Sequence, residues 1–174
     1  MKVLVSSCIM GKNCKYNGGN NLNPKVVEFL KDKEVIEICP ELLANMPTPR
    51  PSAEIVNGIV MDINGNIVDE EYRHAVQLAL NEIRSMEIDL VILQSRSPTC
   101  AVKNIYDGSF TGKLIKGQGL FAQALIEAGY KVLWTKYMEH QVPVDKESFR
   151  EAYVFIAISF SPFSLFLLNN TTKF

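Results

Sequence analysis

The stretch "DLVILQSRSPTCAVKNIYDG", residues 89–108, changes character halfway along. Leu90 to Leu93 is a short, continuous apolar run, the pattern of a strand buried on both faces. Beyond Gln94 the chain turns small and polar around one thiol, Cys100. In open α/β sheets ligands sit just outside the carboxyl ends of the strands, so the question is whether the rest of the chain supplies such a sheet.

Working outward, "KVLVSSC" ends at Cys8, "EVIEIC" ends at Cys39, and "YKVLWTK" follows near residue 130, each with the same strand-like apolar run. Helical patterns lie between them. "NPKVVEFLKDK" has Asn23 as cap and Pro24 at the first helical position. Residues 69–87 form the clearest helix, with Tyr72, Val76, Ala79, Leu80 and Ile83 on one face and Asp69 near its start. "GLFAQALIEAG" makes another, with Gly129 to end it. Residues 54–68 carry Asn-Gly at 57–58 and 64–65, which predicts a small β-hairpin excursion. Strands alternating with helices imply an α/β fold: a Rossmann-like, open, mostly parallel sheet with flanking helices.

Composition narrows the function. The chain has 174 residues, 18 Lys+Arg against 19 Asp+Glu, and a net charge of −1, so no overall field draws it to a nucleic-acid polymer or an anionic membrane. The N-terminal apolar run is too short for a signal peptide and meets Cys8 and a turn, so a cytoplasmic protein with reduced thiols is expected. His74 and His140 lack ligand spacing, and "DGSFTGKLIKGQG" lacks both the P-loop and the dinucleotide pattern.

Four cysteines remain: Cys8, Cys14, Cys39 and Cys100. Taken singly, a free cysteine is usually a small buried hydrophobe. Cys8, Cys39 and Cys100, however, each lie at or a little beyond the carboxyl end of a predicted strand, and packing alone gives three thiols no reason to share that placement. We therefore expect one common site. Three thiolates suit a soft centre, either an iron–sulfur cluster with one iron left open or zinc with a water. A metal-free nucleophilic cysteine is the third possibility, and it requires a lowered thiol pKa. Cys14, in a lysine-flanked loop, is the weaker candidate for a fourth ligand.

The ordered segments "SSCIMGKNCKYNGGNN", "CPELLANMPTPRPSAEI", "SRSPTC" and "IYDGSFTGKLIKGQG" resemble the motif set of the 2-thiouracil desulfidase family, formerly a family of unknown function, over residues 1 to about 138. The resemblance implies a [4Fe-4S] cluster on Cys8, Cys39 and Cys100, open at one iron, with Glu41 of "CPE" and Ser97 of "SPTC" assisting catalysis. It implies an enzyme that cleaves a carbon–sulfur bond in a small thiolated heterocycle, exchanging the thiocarbonyl sulfur of a 2-thiouracil-like pyrimidine for oxygen from water. A non-catalytic zinc or iron–sulfur module and a metal-free cysteine enzyme are the competing readings.

Plainer roles stand beside these. Glu41 could simply pair with Arg50, Ser97 could only start a turn, Arg50 and Arg96 could orient an acidic or carbonyl substrate or only brace loops, and Tyr16 and Tyr106 could stack on a heterocycle or merely pack. Where the family pattern has a glycine pair after "CPEL" and a glycine after the third cysteine, this chain has Leu43-Ala44-Asn45 and Ala101, so a narrower or differently shaped pocket is expected. The domain is expected over residues 1–140, with an atypical hydrophobic tail over 141–174. Its apolar run, residues 152–168, is broken by Pro162 and lacks a close positive flank, so packing on the domain or on a second subunit, as a homo-oligomer contact, is expected over a membrane span.

Overall fold

The computed structural model describes residues 1–135. The run 152–168, His140 and the tail boundary lie outside them. Strand β1 (Lys2–Ser6), β2 (Glu34–Ile38), β5 (Leu90–Leu93) and β8 (Val132–Trp134) form one sheet in the order β2-β1-β5-β8. All three pairings are parallel. This is the α/β architecture that the alternating strands and helices predict. The chain leaves β1 to one side for β2 and later returns to its other side for β5, so the switch in direction falls at β1. A crevice at the carboxyl ends of β1 and its neighbours follows from that order.

The helices form where local signals put them. Helix α1 (Pro24–Leu30) is capped by the Asn23 side chain, which accepts from the Lys25 and Val26 amides. Helix α2 (Pro40–Leu43) is a single turn started by Pro40. Helix α3 (Asp69–Ile83) is shorter than the pattern over 69–87 suggests, and α4 (Leu120–Glu127) is followed by Gly129 in the left-handed region, φ 87°. Leu4, Ile38, Val91 and Leu93 of the sheet pack in one core with Val76, Ala79 and Ile83 of α3 and Phe121 and Leu125 of α4. Val3, Val5 and Ile92, at the alternate strand positions, are also fully buried, as a sheet covered on both faces requires.

Two small antiparallel ribbons stand apart from the sheet. The expected hairpin is β3 (Ala53–Val56) with β4 (Ile59–Asp62), and its turn residues Asn57 and Gly58 both have positive φ, as an Asn-Gly hairpin turn demands. The second ribbon, β6 (Asn104–Tyr106) with β7 (Leu114–Lys116), has no alternating apolar pattern to announce it, and β7 is exposed throughout. Among the described residues no helix is long and apolar enough to cross a membrane.

Candidate active site

A cavity of about 370 Å³ opens beside the carboxyl ends of β1, β2 and β5. Cys8, Cys39 and Cys100 all line it, and so does Cys14. Each thiol arrives by a different local device. Cys8 lies in the 3₁₀ turn Ser7–Met10 directly after β1, and its carbonyl accepts from the amides of Gly11 and Asn21, which folds the following loop back over it. Within that loop the Cys14 amide donates to the Lys12 carbonyl, a tight turn that leaves Lys12 exposed and Cys14 only 2% exposed. Cys39 caps α2 without using its side chain for the cap.

Cys100 is held from two sides. The Ser97 hydroxyl oxygen accepts from the amides of Thr99 and Cys100 at 3.1 and 3.2 Å, so the turn-starting role of Ser97 is real, and its hydroxyl also lines the cavity. From the other side, α4 uses this loop as its cap: the amides of Gly119, Leu120 and Phe121 donate to the carbonyls of Ala101, Pro98 and Thr99. A Cβ on Gly119 would lie 2.5 Å from the Thr99 carbonyl carbon, so only glycine lets helix and loop approach this closely.

Glu41 is 6% exposed and faces the same cavity. Thr99 Oγ1 donates to its Oε1 at 2.8 Å, and the Cys39 thiol donates to its Oε2 at 3.3 Å. Arg50 Nη2 lies 3.6 Å from Oε1, an ion pair with both side chains buried. The pairing of Glu41 with Arg50 is therefore present, but deep in the cavity wall instead of on the surface. Arg50 is itself braced by Pro47 and Thr48, to which its Nη1 donates, and its Nε is the one buried side-chain nitrogen or oxygen among the described residues without a hydrogen-bond partner. Thr99, fully buried, carries no sequence signal of its own, being one more small polar residue in "SPTC".

Three of the thiols, Cys14, Cys39 and Cys100, sit where the neutral form is favoured. A hydrogen bond with Cys39 favours the Cys14 thiolate, yet the hydrogen bond with Cys8, burial and the nearby negative charges outweigh it and push Cys14 up to about 11. The hydrogen bond with Cys14, burial and the Glu41 charge push Cys39 well up. Burial first, then Glu41, raises Cys100. For Cys14, Cys39 and Cys100 this is the opposite direction from the lowered pKa that a metal-free nucleophile needs. Soft metal centres, by contrast, displace thiol protons on binding. Among the described residues no three His, Cys, Asp or Glu side chains are arranged to hold a single metal ion. The donor set is four soft sulfurs lining one cavity, a chemistry that fits an iron–sulfur cluster held by thiolates.

The 2-thiouracil desulfurase family model matches residues 3–136. The chain belongs to this family. It is 36% identical over 141 residues to the uncharacterized protein YbbK of Bacillus subtilis (strain 168), an alignment that covers 75% of this chain and 93% of YbbK. It is also similar to the solved structure of a [4Fe-4S]-dependent thiouracil desulfidase, TudS, with a TM-score of 0.73 and 28% identity, over 79% of this chain and 93% of that one. Asn45, with φ 53°, takes the left-handed conformation that glycine takes at least cost, and neither it nor Ala101 lines the cavity. Tyr16, Tyr106 and Arg96 do line it; His74 does not and is exposed.

Proposed function

We propose that the protein is an iron–sulfur-dependent desulfidase that converts a 2-thiouracil-like heterocycle and water into the oxo-heterocycle and hydrogen sulfide. The observation that carries this reading is a buried carboxylate, Glu41, sharing one cavity wall with four thiols at the direction switch of a parallel sheet. Cys8, Cys39 and Cys100 are the residues that would hold a four-iron, four-sulfur cluster with one iron open. Bound there, such a cluster supplies a soft Lewis acid matched to sulfur.

The remaining work falls to the chain itself. Glu41, fixed by Thr99 and Arg50, takes a proton from the attacking water. The Ser97 oxygen already accepts two backbone amides, which leaves its O–H to donate to the heterocycle edge. Overall the carbon–sulfur double bond is exchanged for a carbon–oxygen double bond and both protons of the water, the one on Glu41 included, leave with the sulfur as hydrogen sulfide, with no net change in oxidation state. The setting proposed is cytoplasmic, where the four free cysteines stay reduced and available to a cluster. Activity is assigned to residues 1–140 and none to the tail. A small heterocycle is the partner; neither nucleic-acid polymer nor membrane is invoked.

The test is anaerobic reconstitution, with iron and acid-labile sulfide measured before sulfide release from 2-thiouracil is followed in the same sample. A cluster with release supports the reading. A cluster without release from 2-thiouracil or another thiolated pyrimidine would reduce the protein to a binding module, and failure to bind iron would remove the cofactor assignment.

A further inference from the structure

The cavity lining also includes Phe110 and Tyr106, which belong to the second ribbon and its connecting loop. That loop, "DGSFTG" over residues 107–112, is conformationally demanding. Gly108, Phe110 and Gly112 all have positive φ, and Phe110 at 57° is in a region that a bulky side chain adopts only when its surroundings enforce it. The enforcing group is Glu54 of β3, 7% exposed and far away in sequence. Its Oε2 accepts from the Gly108 amide at 3.0 Å and from the Phe110 amide at 3.1 Å. Two backbone amides converging on one carboxylate oxygen form an anion-binding nest that the protein fills with its own side chain. The loop also seats tightly on the hairpin, since a Cβ on Gly108 would lie 2.9 Å from the Ile55 carbonyl oxygen.

We propose that Glu54 is a positioning residue for substrate binding: by clamping residues 107–112 it fixes Phe110, which lines the cavity as Tyr106 does, as the aromatic surface on which the flat heterocycle stacks. The proposal rests on the desulfidase reading for the identity of the ring. It assigns Glu54 to affinity and leaves cofactor retention to the thiol wall. Stacking geometry suits a planar ring and gives the loop a means to select it.

The experiment uses the full-length, reconstituted protein with Glu54→Ala, Glu54→Gln and Phe110→Gly. Glycine is relaxed at positive φ, so Phe110→Gly removes the ring while keeping the loop's shape. In Glu54→Ala, amide hydrogen exchange at Gly108 and Phe110 should quicken about tenfold or more, as expected for losing a bond to a charged acceptor. The Kd for 2-thiouracil by equilibrium dialysis and the KM for sulfide release should each rise about tenfold, with kcat and iron content near the wild-type values. Glu54→Gln, which keeps an acceptor oxygen, should fall between. Phe110→Gly should raise Kd without quickening exchange at Gly108.

Unchanged Kd in Phe110→Gly, or faster exchange in Glu54→Ala with unchanged Kd, would overturn the proposal, as would loss of iron from Glu54→Ala. If Glu54→Ala does not fold, Glu54→Gln and Phe110→Gly decide the matter by the same criteria. A wild-type protein that binds 2-thiouracil but releases no sulfide would overturn the desulfidase reading alone, with Kd and exchange still deciding the clamp. One that binds no 2-thiouracil would overturn both.

Discussion

The two walls of the cavity are built by different means. On the thiol wall Cys8 and Cys39 follow closely on parallel strands, and the Cys100 loop is sealed against the first turn of α4 by four backbone hydrogen bonds. The aromatic wall comes from the second ribbon, whose 107–112 loop is held by two carboxylates, Glu54 of the hairpin and its own Asp107, while Asp62 holds the turn that follows β4. The first wall inherits the cooperativity of the core. The second depends on a few polar contacts, each removable by itself. The difference teaches that the donor set and the ring surface can change separately, one held by the fold and the other by local acceptors.

The largest effects should come from the thiol wall. Cys100→Ala should abolish iron retention and sulfide release together, read as iron per chain and initial rate after anaerobic reconstitution. Normal iron and rate in that variant would remove Cys100 from the ligand set. Next is Gly119→Ala, which leaves every thiol in place but puts a methyl group into the Thr99 backbone. Overpacking of this kind costs about 1–3 kcal/mol, and at about 2–4 °C per kcal/mol the melting temperature should fall by several degrees, with reduced iron occupancy. A variant as stable and as iron-rich as the parent would show that the loop has more freedom than its packing against α4 suggests.

Thr99→Val sharpens the comparison within the thiol wall. It is nearly isosteric and removes only the 2.8 Å bond to Glu41, so iron content should hold while kcat/KM falls about 10- to 100-fold, the range for a hydrogen bond to a charged group. Unchanged kcat/KM would mean that Arg50 alone suffices to orient the carboxylate.

Much of the thiol wall was legible from the sequence because period and position carry it. Buried apolar runs marked all four strands of the sheet, Asn23-Pro24 and Gly129 marked helix ends, and the cysteines followed the strands. Cys14 was harder to see, because Lys12 and Lys15 make its loop look solvated while the tight turn at Lys12 directs the thiol inward. Thr99 and Glu54 were not legible. Their roles lie in contacts to residues 58, 54 and 56 positions away, and no local pattern encodes such a partner. For the same reason the ribbon β6–β7 went unmarked: exposed on β7 and held by side-chain acceptors, it needs no alternating apolar face.

The smallest expected effect tests whether the ribbons are as separable as they look. Asp62 Oδ1 accepts from the amides of Asn64 and Asn66, and its Oδ2 accepts from the Asn66 side chain. The Asn66 side-chain hydrogen bond first, then the Asn66 backbone amide, holds the Asp62 carboxyl below its usual 3.8. A depressed folded-state pKa means that the ionised carboxylate steadies the turn above the unfolded value and that this contribution is lost as pH falls through the folded value. Amide proton shifts of Asn64 and Asn66 followed by NMR should therefore titrate with a midpoint below 3.8, while the buried core amides of Val5 and Ile92 stay constant over the same range. Asp62→Ala should abolish the titration and leave iron content unchanged. If the core amides moved with the turn, hairpin and sheet would be one cooperative unit, and the aromatic wall could not be adjusted without disturbing the thiols.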